Sequence, residues 1–118
     1  MKIKTADLIG PALDWAVAKC EGLLCFGYRT DGERLSIQSS DGEVGGFAPS
    51  TNWAEAGPLI ERKKLSVVIQ RVDAWHSSCP RYVYHGYGPT PLIAAMRCFV
   101  ASRLGDEVDV PDELMEKA

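Results

Sequence analysis

The stretch TPLIAAMRCFVASRLG (residues 90–105) constrains the fold more than any other part of the chain. Thr90 offers a side-chain oxygen to cap a helix, Pro91 suits its first position, and Gly105 suits its end. At about 100° per residue, Leu92, Ile93, Met96, Phe99, Val100 and Leu104 form one apolar arc. Ala94, Cys98 and Ala101 stand on the other side. Side chains that small permit the close approach of another helix, from this chain or from a second copy.

A second one-faced helix is expected over residues 11–21, opened by Gly10-Pro11 and closed by Gly22, with Leu13, Ala16, Val17 and Cys20 on its apolar side. Trp15 falls on the far side, beside Asp14 and Ala18. There it is covered by the chain's own N-terminal arm or acidic tail, or it meets a partner. Residues 23–47 read as a hairpin: an apolar run over 23–28, the turn signal Thr30-Asp31-Gly32, alternation over 35–38, and ends at Asp41-Gly42 and Gly45-Gly46. A short helix is expected over 52–56, capped by Ser50 or Thr51 and stopped by Gly57-Pro58, with 59–64 open to a further helical turn. Residues 65–72 predict a strand, and the continuous run Val67-Val68-Ile69 predicts its burial on both faces. Its antiparallel partner is 81–85, across a polar turn containing Ser77, Ser78 and Pro80. The pattern α-β-β-α-β-β-α predicts an α+β fold in which helices sandwich an antiparallel sheet. Residues 1–104 read as a single domain, and 105–118 as an acidic tail packing on it.

The chain has 118 residues, 46% of them apolar and 25% charged. That suits one folded domain and argues against wholesale disorder. Its apolar runs fall far short of the roughly 20 residues of a membrane span. The start MKIKTAD has no apolar signal segment, so a cytoplasmic location is expected. The net charge of −3 is uneven. Six acids and one lysine give −5 from residue 105 onward, which leaves +2 (−3 minus −5) for residues 1–104. That is too little for a general nucleic-acid binder, and Arg62-Lys63-Lys64 reads as a solvated helix end.

The chemistry legible in the residues is sparse. Cys20, Cys25, Cys79 and Cys98 form no C-x-x-C pair and read as reduced thiols. Cys79 with His76 and His85 lacks a clean metal-ligand spacing, so neither a metal nor a cofactor is expected. There is no phosphate-binding P-loop, nucleophile elbow or H-E-x-x-H, and Asp41 and Asp73 lie beside turn residues, so catalysis is not expected. Two helix entrances remain, Pro49-Ser50-Thr51-Asn52-Trp53 and Gly88-Pro89-Thr90-Pro91. A helix start leaves N–H groups unpaired and suits an anion, while Trp53 and Tyr87 could stack a base. Arg97 or Arg81 would add charge. The candidate ligand site is thus Ser50, Thr51, Asn52, Trp53, Tyr87, Thr90 and Arg97; ordinary capping is the simpler account of the same residues. The candidate interface is Trp15, Ala94, Cys98 and Ala101, with a homodimer as the expected product.

Three stretches, MKIKTADLIGPALDWAVAKCEG, APSTNWAEAGPLIER and GPTPLIAAMRCFVASRLGDEVDVPDEL, resemble the NinX-like family of small proteins from tailed phages and prophages. Residues 23–47 and 65–87 match it less clearly. The element order is also similar to the phage ABA-sandwich domain, which implies an antiparallel sheet between helices. With the resemblance, the expectation becomes a phage-encoded, non-enzymatic accessory protein in the cytoplasm of a bacterial host. Its partner would be a small anionic, nucleotide-like ligand or a host protein, with nucleic acid a weaker alternative and no membrane.

Overall fold

The structure, a computed structural model, describes residues 1–22, 25–31, 34–39, 44–79 and 83–114. Its helices are α1 (Gly10–Cys20), α2 (Trp53–Lys63) and α3 (Pro91–Leu104). Its strands are β1 (Lys2–Lys4), β2 (Cys25–Asp31), β3 (Arg34–Ser39), β4 (Val44–Phe47), β5 (Val68–Arg71), β6 (Ala74–Ser78), β7 (His85–Gly88) and β8 (Glu107–Asp109). The class is α+β with antiparallel pairing, as expected. The strands form three ladders, β1–β8, β2–β3–β4 and β5–β6–β7, where one sheet was expected.

α3 is the centre of the molecule. Thr90 Oγ1 accepts from the Ile93 N–H at 3.2 Å, and Gly105 ends the helix at φ 87°. Leu92, Ile93, Met96, Phe99 and Val100 are buried as the apolar arc required, and Leu104 is half-buried. The small side is buried too: Ala94 and Cys98 have no accessible surface. What covers them is β7 of the same chain. A Cβ at Gly86 would stand 2.2 Å from the Ala94 carbonyl oxygen and 2.4 Å from the Cys98 nitrogen. A glycine in the strand and small side chains on the helix let the two backbones touch. This intrachain contact takes the place of the second helix or second copy expected there.

α1 buries Leu13, Ala16, Val17 and Cys20, and Gly22 closes it at φ 71°. Trp15 is half-buried against the core, with Lys19 Nζ 5.3 Å from its ring centroid. Asp14, expected on the outer side, is instead fully buried.

α2 departs further from expectation. Its cap is Asn52, whose Oδ1 accepts from the Ala54 N–H at 2.9 Å, rather than Ser50 or Thr51. Those two residues belong to a turn in which the Thr51 and Asn52 N–H groups bond the Ala48 carbonyl at 3.0 and 2.8 Å. The helix then runs through Gly57-Pro58. Proline in the second turn forfeits one backbone bond, and burial of Ala56 and Leu59 on either side offsets that loss. Lys64 ends the helix in the left-handed conformation, φ 55°, with its N–H bonded to the Glu61 carbonyl at 3.2 Å. Left-handed backbone costs a residue with a Cβ about 1 kcal/mol. Lys64→Gly is therefore expected to raise stability by about 0.5–1 kcal/mol in urea denaturation, whereas Lys64→Ala should give no such gain.

The β elements were the least legible. β4 adds a third strand to the expected hairpin, whose end signal at 41–42 lies outside the described residues. β5 is shorter than the expected 65–72, and all four of its residues are exposed; among the described residues it is an edge strand, paired on one side with β6. Ser77 and Ser78 lie within β6 rather than in a turn, and the strand beyond it is His85–Gly88 rather than 81–85. The β1–β8 ladder was not foreseen. It pairs Ile3 with Val108, and Val108 and Val110 are buried beneath it. These alternating valines turn part of an acidic stretch into structure.

Candidate functional site

A cleft of about 730 Å³ opens where β7, α3 and the β1–β8 ladder meet. Lys4, Thr5 and Ala6 line it from the N-terminal arm, His85, Gly86 and Tyr87 from β7, and Arg97 and Ala101 from α3. Asp106 and Glu107 complete it. The arm is positioned by local bonds: the Thr5 N–H reaches the Asp106 carbonyl at 2.7 Å, and Thr5 Oγ1 donates to the Gly105 carbonyl at 2.6 Å. Arg97 ties three segments together. Its Nε–H donates to the Leu8 carbonyl at 2.8 Å and its Nη1 to the Tyr87 carbonyl at 2.7 Å. Burial lowers its pKa from the ordinary arginine value, with the charge of Asp7 opposing. Among the described residues its Nη2 makes no hydrogen bond, which leaves donors for the cleft.

Three rings cluster on β6 and β7, and two of them, His85 and Tyr87, line the cleft. Tyr87, 54% exposed, stacks on His76 with centroids 4.8 Å apart and 28° between planes. His76 Nε2 in turn meets His85 Nδ1 at 2.9 Å. The register that aligns His76 with Tyr87 and Ser78 with His85 brings the two histidines together. Cys79 does not join them. It packs against the core, and its Sγ accepts from the Tyr84 N–H at 3.3 Å. Burial pushes the thiols of Cys20 and Cys98 up to about 11, so both are protonated at neutral pH.

Of the residues the sequence singled out for a ligand, the cleft gathers Tyr87 and Arg97. Ala101, singled out for an interface, also lines it. Thr90 caps α3 outside it, and Ser50, Thr51, Asn52 and Trp53 belong to the turn before α2. Arg81 lies outside the described residues. Trp53 is 57% exposed at the start of α2, so it is not a core aromatic. Ser50 is buried, and its N–H donates to Asp14 Oδ1 at 2.8 Å. On the other side of the turn, Glu55 Oε1 accepts from the Ala48 N–H at 2.9 Å and from Asn52 Nδ2 at 3.2 Å. Two carboxylates thus grip this turn. Asp14 Oδ2 and Ser50 Oγ are buried without a hydrogen-bond partner among the described residues. Burial pushes the Asp14 carboxyl up to about 6, against the lowering effect of its bond from Ser50.

Sequence reasoning missed Lys4, His85, Asp106 and Glu107 as neighbours of Tyr87 and Arg97. The alternation Glu107-Val108-Asp109-Val110 was the available signal for the strand that places the two acids.

The family model described as Bacteriophage P22, NinX matches residues 4–103. The chain belongs to the bacteriophage P22 NinX family. The match covers most of this NinX-family chain, including α1, α2, all but the last residue of α3, and the arm, β7 and α3 sides of the cleft. It stops short of Asp106 and Glu107. No curated protein matches the chain. Among the described residues no helix is long and apolar enough to cross a membrane.

Proposed function

We propose that this NinX-family chain is a non-enzymatic phage accessory protein that works in the host cytoplasm by holding a small anionic, nucleotide-like ligand in the cleft. The observation that carries this reading is the meeting of Tyr87, Arg97 and Lys4 in one space. Two cationic side chains supply donors for a phosphate, and an exposed ring supplies a stacking surface for a base. Asp106 and Glu107 repel a bare anion but accept from hydroxyl or amino groups. The lining therefore suits a ligand with one anionic and one donor-rich end. Sequestering a nucleotide signal of antiviral defence would be a use for such a site.

Titration calorimetry against ribonucleoside mono- and diphosphates and cyclic dinucleotides tests the reading. Tyr87→Ala is expected to weaken binding by roughly 1–3 kcal/mol, the worth of one base–aromatic stack. Lys4→Ala should weaken it further and reduce its salt dependence. Absence of heat with every nucleotide rejects the reading.

A second reading, contact with a host protein, has its own observation. Val68, Ile69, Val72, Val83 and Tyr84 are exposed on or beside the β5–β6–β7 ladder, Val72 at 96%. Apolar surface of this kind on a strand that pairs on one side only among the described residues suits a partner. Affinity capture from infected cells, lost with Ile69→Lys but kept with Tyr87→Ala, would favour it. Light scattering tests the expected homodimer, for which Trp15 and Ala101 remain partly accessible while Ala94 and Cys98 do not.

A further inference from the structure

The chain contains two histidines, and the fold puts them in contact. They are diagonal neighbours on one face of the β6–β7 pair. His76 Nε2 and His85 Nδ1 are 2.9 Å apart. Their ring centroids are 5.1 Å apart with 18° between planes, a separation made up of that bond and one ring radius on each side. The imidazoles therefore meet edge on, nitrogen towards nitrogen, rather than face over face. One facing nitrogen donates its N–H and the other accepts it with its lone pair, the tautomers setting which is which.

We propose that this pair is a binding site for a first-row divalent cation, Cu²⁺ or Ni²⁺ in preference to Zn²⁺, with water completing the coordination shell. Imidazole is a good ligand for all three ions. At metal–nitrogen distances of about 2.0–2.1 Å, two nitrogens at right angles stand about 2.9 Å apart, whereas a tetrahedral pair needs about 3.4 Å. The observed 2.9 Å is the length of the hydrogen bond that the cation would replace, and because it matches the right-angled separation, the nitrogens need to turn rather than move apart to hold tetragonal Cu²⁺ or Ni²⁺. The rings must swing until their lone pairs converge on one point. Exposed His85 can do so, while the stack on Tyr87 keeps His76 in place. Among the described residues no third histidine, cysteine or carboxylate joins them, so the site is open to solvent. On binding, the facing N–H gives its proton to solvent and that ring takes one up from solvent on its remote nitrogen, so both rings stay neutral with their protons on Nδ1 of His76 and Nε2 of His85. The cation accepts the two facing lone pairs, and no electron is transferred.

The test is titration of the full chain with CuSO₄ or NiCl₂ in a non-coordinating buffer, followed by calorimetry and visible absorption. One cation per chain is expected, with a raised unfolding temperature and loss of both effects in His76→Ala and in His85→Ala. Binding that survives in both variants overturns the proposal, since the cation then sits elsewhere, for instance at the Met1 amine beside Asp109 and Asp112. So does an absence of binding. Should either variant fail to fold, nuclear magnetic resonance of the native chain decides. With two histidines in the sequence, ring signals that do not respond to the cation overturn the site outright.

Discussion

Gly86→Ala is expected to lower stability by about 3 kcal/mol or more, at the upper end of overpacking substitutions. The added methyl would meet the Ala94 carbonyl and Cys98 nitrogen at 2.2 and 2.4 Å, and both atoms are backbone within a helix. No side chain can turn aside, so β7 and α3 must separate. Two other glycines calibrate the effect. At Gly88 the nearest atoms are Ile93 Cγ2 at 2.7 Å and the Ala94 nitrogen at 3.1 Å, longer contacts than those at Gly86, so Gly88→Ala should also destabilise but cost less. At Gly57 nothing beyond its chain neighbours lies within 4 Å, but Pro58 crowds the Cβ of a helical residue before it, so alanine there should bring little of the gain of about 0.5–1 kcal/mol that an ordinary helix interior gives. Urea denaturation of the three variants checks the order. Equal losses at 86 and 88 would mean that the strand and helix do not approach as closely as described. Because Gly86 and Tyr87 adjoin the cleft, the 86 variant should also impair any ligand bound there.

Asp14→Asn is expected to stabilise the protein at pH 8 by as much as about 3 kcal/mol. Burial raises the Asp14 carboxyl from an ordinary 3.8 to about 6, so its folded-state pKa lies above its unfolded one. Its contribution to stability is therefore fully present below about pH 4 and is lost as the pH rises through about 6. Asparagine keeps the oxygen that accepts from the Ser50 N–H at 2.8 Å. It also removes the charge and brings an N–H donor to a place where Ser50 Oγ lacks a partner among the described residues. The difference in unfolding free energy between variant and wild type, followed from pH 4 to pH 8, should grow across the window between those two pKa values. A flat difference would show that Asp14 is not desolvated. Asp14→Leu is expected to destabilise, because it leaves the Ser50 N–H buried and unpaired.

What the sequence determined by itself was local. The cap, first-turn proline and terminal glycine of α3 act within a few residues of themselves, so Thr90, Pro91 and Gly105 ended up in the roles their chemistry assigns. Gly22 did likewise for α1, and the apolar spacing of both helices marked the core. The α+β class followed from these helices and the β-branched runs between them.

What only the tertiary structure decided depended on partners far along the chain. Propensity set Pro58 as a stop, yet burial of Ala56 and Leu59 carried α2 past it. Helical spacing puts Asp14 on the outer face of α1, and the turn before α2 covers it. The small side of α3 suited several neighbours, and only the placement of Gly86 showed which one it has. The cleft is the extreme case. Lys4, Tyr87, Arg97 and Glu107 come from four separate segments, and no spacing along a chain encodes their meeting. It arises because β8 returns to pair with β1, while Arg97 reaches the Leu8 and Tyr87 carbonyls. Pairing and packing free energies of that kind exist only once the chain has closed on itself.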